Sequence, residues 1–185
     1  MHLNPYGEAA VKLAADLAND RPATAAELAD RCRAAGLALE GQATRADLDR
    51  ILEGLDAWER VVDAADEDER AALLNLMLAA STAHPRLTNH VGDGWHLHYR
   101  DNRQPLGSLL VSLITVGTAL HLVGRGMHRL GRCGVTECAT VFADTSRTGR
   151  QRYCSQRCAN RDAVRRHRAR ATPSAARQPT GSRSA

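Results

Sequence analysis

The chain has 185 residues, room for one domain or for one domain and a small module. It is 43% hydrophobic but only 3% aromatic, so a core of Leu, Ala and Val is expected, a composition that favours helices over sheets. A net charge of +4 hides an asymmetry. From Arg125 onward 14 arginines and no lysine stand against Glu137, Asp144 and Asp162 alone, a charge of +11, which leaves −7 on the first 124 residues.

An acidic body with a basic end points to a polyanionic partner. The exclusive use of Arg suits planar phosphate and base-edge contacts. The N-terminus, MHLNPYGEAAVK, lacks the basic start and apolar stretch of a secretory signal, which predicts a cytoplasmic protein.

Residues 5–20 predict a first helix, with Ala9, Val11, Leu13, Ala14 and Leu17 at helical spacing. A second follows Pro22, with Thr24 as N-cap, Glu27 completing a capping box and Gly36 ending it. Cys32 on this helix reads as a small buried apolar residue. Residues 44–65 carry the stripe Leu48, Ile51, Leu52, Leu55, Trp58 and Val62. Residues 67–83 repeat the pattern with Leu73, Leu74, Met77 and Leu78, up to the break at Pro85.

The period then changes to two. Leu87, Asn89 and Val91 alternate with polar neighbours, as do Trp95, Leu97 and Tyr99, around the turn Gly92-Asp93-Gly94, and predict a β-hairpin. His96 and His98 share one face and could chelate, but no third ligand is evident near them, and the polar face of a hairpin is the favoured reading. His84 and His90 follow no pattern, and His121 and His128 read as packed or solvated. The most apolar stretch, residues 106–124, is interrupted by Gly107, Ser108, Gly117 and His121; it predicts a buried helix and no membrane partner. Residues 171–185, rich in Ser, Pro and Arg, predict a disordered tail.

Four of the five cysteines lie between positions 133 and 158: Cys133-x4-Cys138, 15 intervening residues, then Cys154-x3-Cys158. Two close pairs at this separation are the pattern of a four-cysteine zinc site. Four thiolates close a tetrahedral shell with no position for water, so one structural Zn²⁺ is expected. A disulfide is disfavoured by a reducing compartment, and neither pair has the Cys-x-x-Cys spacing of thiol oxidoreductases. Between the pairs, residues 140–142 and 150–153 predict two strands around a turn at 144–149, and Ser155 caps a helix carrying Cys158.

That helix places Arg157, Arg161, Arg165 and Arg168 on one face, flanked by Arg166 and Arg170. Asn160, near its start, could read an adenine edge. Arg147, Arg150 and Arg152 could grip backbone phosphate.

The stretch CGVTECATVFADTSRTGRQRYCSQRCANRDAVRRHRAR resembles the CGNR zinc finger: a Cys-x4-Cys pair, the Phe142-x-Asp144-x-Ser146 turn, an Arg-rich approach to the third cysteine, and Cys-Ala-Asn-Arg before a basic helix. Ala159 stands where the motif has Gly, and Tyr153 where Trp is usual; the flanking helix formers favour a helical position 159. In that family the finger follows a helical ABATE domain, and the proteins are regarded as transcription regulators.

The order of these elements, joined to the resemblance, predicts a mainly α fold with a small β-hairpin and a C-terminal treble-clef-like zinc finger. It divides the chain into residues 1–127, a sensor or dimerisation domain, 128–170, the finger, and 171–185, the tail. The expected function is zinc-dependent, sequence-specific binding of double-stranded DNA, without enzymatic activity, with an effector ligand and a homodimer as open options. The alternative is a zinc-stapled interaction module for RNA or an acidic protein. No phosphate loop, nucleophile elbow or functional carboxylate pair is evident.

Overall fold

A computed structural model describes residues 7–39, 41–89, 95–101 and 103–171. Its elements run α1 (Glu8–Asn19), α2 (Ala25–Ala34), α3 (Arg45–Asp63), α4 (Glu67–Ser81), β1 (Arg86–Thr88), β2 (His96–His98), α5 (Leu106–Arg125), a 3-10 turn (Met127–Arg129), β3 (Leu130–Arg132), β4 (Val141–Ala143) and α6 (Gln156–Ala171). The fold is mainly α, with two antiparallel strand pairs and a C-terminal cysteine cluster. The tail beyond 171 and the turn at 92–94 lie outside the described residues.

The helix ends follow from local chemistry. Thr24 accepts the amide of Glu27 at 3.1 Å, but the Glu27 carboxylate returns to the amide of Ala23 and not to that of Thr24, so the expected box is offset by one residue. At α3 the box is complete: Asp47 donates its amide to the Thr44 hydroxyl at 3.2 Å and accepts the amide of Thr44 at 2.9 Å. The other oxygen of Asp47 accepts the amide of Gly107 at 2.8 Å, so one carboxylate caps both α3 and α5. Two helix caps of about 1 kcal/mol each are at stake. Asp47→Ala is therefore expected to lower stability by about 2 kcal/mol, read from the midpoint of a urea denaturation curve.

The predicted stripe is the core. Leu48, Ile51, Leu55, Trp58 and Val62 of α3 are buried with Leu28 and Cys32 of α2, Val11, Leu13, Ala14 and Leu17 of α1, and Leu110, Val111, Ile114 and Leu122 of α5. The Trp58 indole donates to the Thr118 hydroxyl at 2.9 Å, which donates to the carbonyl of Ile114. Helix α5 is long and apolar enough to cross a membrane, but 61% of its apolar window is buried against the other helices, as expected of a core helix. It meets α1 at glycine: a side chain on Gly7, at φ +61°, would fall 2.0 Å from the carbonyl oxygen of Gly117. Arg70, almost buried, donates to the carbonyls of Val61 and Val62 at the end of α3 and to that of Met127.

Strands β1 and β2 pair Leu87 with Leu97. Burial alternates in β2 alone, and with its sense inverted; in β1 Arg86 and Leu87 are both exposed. His96 and His98 are half-buried, while Leu87 and Leu97 are 69% and 46% exposed.

The second pair corrects the expected strand pairing of the cysteine segment. Strand β4 pairs with β3, Leu130 opposite Ala143 and Arg132 opposite Val141, and residues 150–153 form no strand. The cause lies in Asp144. Its buried carboxylate accepts the amides of Ser146 and Gln151, each at 2.9 Å, and closes the loop with a side chain in place of a ladder. Leu130 and Val141 belong to the main helical core, so this strand pair is built into the body.

Candidate metal centre and nucleic-acid interface

The first cysteine pair lies on a knuckle that leaves β3 and returns as β4. Cys133 donates its amide to Thr140 at 2.9 Å, and Cys138 its amide to Val135 at 2.8 Å. The second pair is set by the start of α6. Ser155 accepts the amide of Cys158 at 3.3 Å, as an N-cap does, which places the Cys158 sulfur in the first turn. Gly134 donates to the carbonyl of Arg152 at 2.7 Å and joins the two halves.

The four sulfurs of Cys133, Cys138, Cys154 and Cys158 all lie within 4.8 Å of one another, and none forms a disulfide. Three of the separations are 3.6, 3.7 and 3.9 Å. A zinc ion with Zn–S bonds of about 2.3 Å sets tetrahedral sulfurs about 3.8 Å apart, so the donor set fits Zn²⁺. Sulfur is the only donor type present, and the four ligands leave no open position. The centre holds one structural Zn²⁺ and has the make-up of a staple.

The electrostatics agree. The Thr140 hydroxyl and amide push the Cys138 thiol down to about 6. Burial, with the neighbouring sulfurs, pushes that of Cys154 up to about 11. One thiolate forms readily and then opposes the rest; a dication lets all four ionise. The amide of Cys154, 3.5 Å from the Cys133 sulfur, and the Arg161 guanidinium, 3.7 Å from that of Cys158, offset the negative charge.

The eight residues expected to meet DNA are all exposed: Arg147, Arg150, Arg152, Arg157, Asn160, Arg161, Arg165 and Arg168. They divide into groups. Arg147, Arg150 and Arg152 lie on the loop between β4 and α6. Arg157, Asn160, Arg161 and Arg168 share one side of α6. Arg165 turns toward the finger body, donating to Asp162 at 2.5 Å and to the Thr136 hydroxyl at 3.2 Å. Asn160 accepts from the Gln156 amide at 2.8 Å, which fixes its orientation. Ala159 is helical and donates to the Ser155 carbonyl, so its lack of glycine freedom costs nothing there.

Several residues escaped the sequence reading. Asp162 is the one acid in the basic helix α6. It accepts from the Tyr153 hydroxyl at 2.7 Å and pairs with Arg165 and Arg166; these donors hold its carboxyl below the usual range. Arg129 and Arg132 were counted toward the polyanion. Arg129 is almost buried, donates to Ser146 at 2.5 Å and lies 3.7 Å from the Asp144 carboxylate. Arg132 is held by Asp63 at 2.6 Å and Glu59 at 2.9 Å. Asn19 grips β4 at two points, its amide group donating to the Val141 carbonyl at 2.8 Å and its oxygen accepting the Val141 amide at 2.7 Å. The one sequence signal for the Arg132 pairs is the opposite charge of the acidic body and the basic end.

The His96 and His98 Nε2 atoms lie 3.1 Å apart. Among the described residues the one group of three or more metal-ligating side chains is the cysteine cluster, and His90 lies outside those residues. His121 is fully buried, and burial, with Arg125 and Arg129 nearby, holds it neutral by pushing its pKa down. Burial likewise pushes the Cys32 thiol up to about 11, in keeping with a packing role.

Two family models match the sequence. The ABATE model, described as "Putative stress-induced transcription regulator", matches residues 8–127, and the CGNR zinc finger model matches residues 129–171. No curated protein matches the chain.

Proposed function

Starting from a chain that belongs to the ABATE family and ends in a CGNR zinc finger, we propose that it is a transcription regulator of the cytoplasm that binds double-stranded DNA through α6. The observation that carries this reading is the state of α6. It exposes Arg157, Asn160, Arg161 and Arg168 on one side. Its first turn is fixed by Cys158, and its next by Asp162 against Tyr153. Such a helix is pre-organised for the major groove, where arginine pairs with guanine and asparagine with adenine. The loop arginines Arg147, Arg150 and Arg152 hold phosphates and set the register. Residues 1–127 receive a signal or dimerise, and their acidity keeps them off the duplex. The protein acts by binding and not by catalysis.

Duplexes selected from a random pool, followed by binding titrations at several salt concentrations, test this. Arg150→Ala is expected to weaken all duplexes about equally and to reduce the salt slope by about one. Arg161→Ala or Arg168→Ala should also relax the preference among sequences, each at a cost of about 1–3 kcal/mol. Uniform losses in all three variants, with no change in preference, would refute base reading by α6.

A further inference from the structure

Resting on the DNA-binding reading above, we propose that Val164 is a specificity residue that contacts the methyl group of a thymine beside the base read by Asn160. Val164 is 51% exposed, the one large hydrophobic side chain so exposed among the described residues of the finger. Neither local structure nor packing accounts for it. Valine is a poorer helix former than the arginines around it. It also lies away from the side of α6 that carries Cys158 and Asp162 and belongs to neither hydrophobic core.

Its neighbours explain its place. Val164 follows Asn160 by one helical turn and Arg161 by three residues, and precedes Arg168 by four. These residues form one exposed patch of α6, with Val164 at its centre and the polar and cationic side chains around it. A ligand that fits must offer hydrogen-bonding edges and anionic groups at the rim and a small apolar group at the centre. The major-groove edge of an A·T pair offers the last of these, because thymine alone among the DNA bases carries a methyl group there. Uracil lacks it, and the narrow major groove of an RNA duplex does not admit side chains. The valine therefore favours DNA over RNA as the partner.

The test replaces each thymine of a duplex selected from a random pool, one at a time, by deoxyuridine, which removes one methyl group and nothing else. Wild-type protein is expected to lose roughly fourfold in affinity at one position, the factor set by burial of one methyl-sized group. Val164→Ala should bind the thymine duplex about as weakly as wild type binds the deoxyuridine one, and should be insensitive to the replacement. Val164→Thr, which keeps one methyl group and the branched shape, should retain part of the discrimination. Zinc content and helicity equal to wild type confirm that the variants are folded. Selective duplex binding with no deoxyuridine penalty at any position, or with the same penalty in Val164→Ala, would overturn the thymine contact and leave the DNA reading standing. Failure to bind any DNA duplex, or equal affinity for an RNA duplex, would overturn both.

Discussion

Removal of zinc is expected to unfold the knuckle and α6 and to abolish selective duplex binding, while the helical body stays folded. The second small core of the chain is Cys133, Val135 and Cys158, with Cys138, Tyr153 and Cys154 packed against it. Four of these six residues are metal ligands, so without metal little apolar area remains to order the segment. Thiolate-bound zinc supplies apparent binding energies of about 10–16 kcal/mol in small modules, far more than the overall stability of a domain this small. Cys158→Ser should therefore remove hydrogen-exchange protection from α6, measured peptide by peptide, and leave that of α3 and α5 unchanged. Strands β3 and β4 should keep partial protection, because Leu130 and Val141 are seated in the main core. Native protection of α6 in protein that holds no zinc in reducing buffer would refute this.

The second large effect is expected at Asp144. Its carboxylate is 2% exposed, organises the loop after β4, and lies 3.7 Å from the nearly buried Arg129. A side chain on Gly149, at φ +66°, would fall 2.5 Å from the Arg129 guanidinium carbon, so the loop closes tightly over the pair. Asp144→Ala strands the Arg129 charge and frees the amides of Ser146 and Gln151. Breaking such a pair typically costs about 3–5 kcal/mol, and a loss of that order is expected in chemical denaturation. The same group sets an acid limit. Burial alone would raise its pKa, but the Ser146 and Gln151 donors and Arg129 outweigh it and hold the carboxyl below its usual 3.8. With a depressed folded pKa, its contribution is whole above pH 3.8 and is lost as pH falls through the lower folded value. Asp144→Ala should accordingly flatten the acid side of the stability profile.

What could be read in the sequence was what is short-range. The Thr24 cap, the stripe from Leu48 to Val62, and the two cysteine pairs depend on spacings of three to five residues, where geometry is fixed by the helix or by one ion. The partner of β4 was misjudged because residues 150–153 are as extended in pattern as 130–132. What decides between them is Asp144, a single side chain that satisfies the loop amides. The arginines show the same limit. Composition treats Arg129, Arg132, Arg161 and Arg165 alike, yet the first two are bound to Asp144 and to Glu59 and Asp63, and the last to Asp162. Asn19 carried no local signal, since its partner Val141 is 122 residues away.

That grip bears on how such a finger can be exchanged between proteins. Asn19 takes the place of a neighbouring strand for β4, and Arg132 ties β3 to the acidic edge of α3. The inheritable unit is therefore larger than the cysteine motif. A recombination that cuts just before Leu130, at the start of β3, would separate Val141 from Asn19 and Arg132 from Glu59, and would deliver a metal site without its mounting. A chimera that keeps the finger on its mounting must carry α1 and α3 along with it.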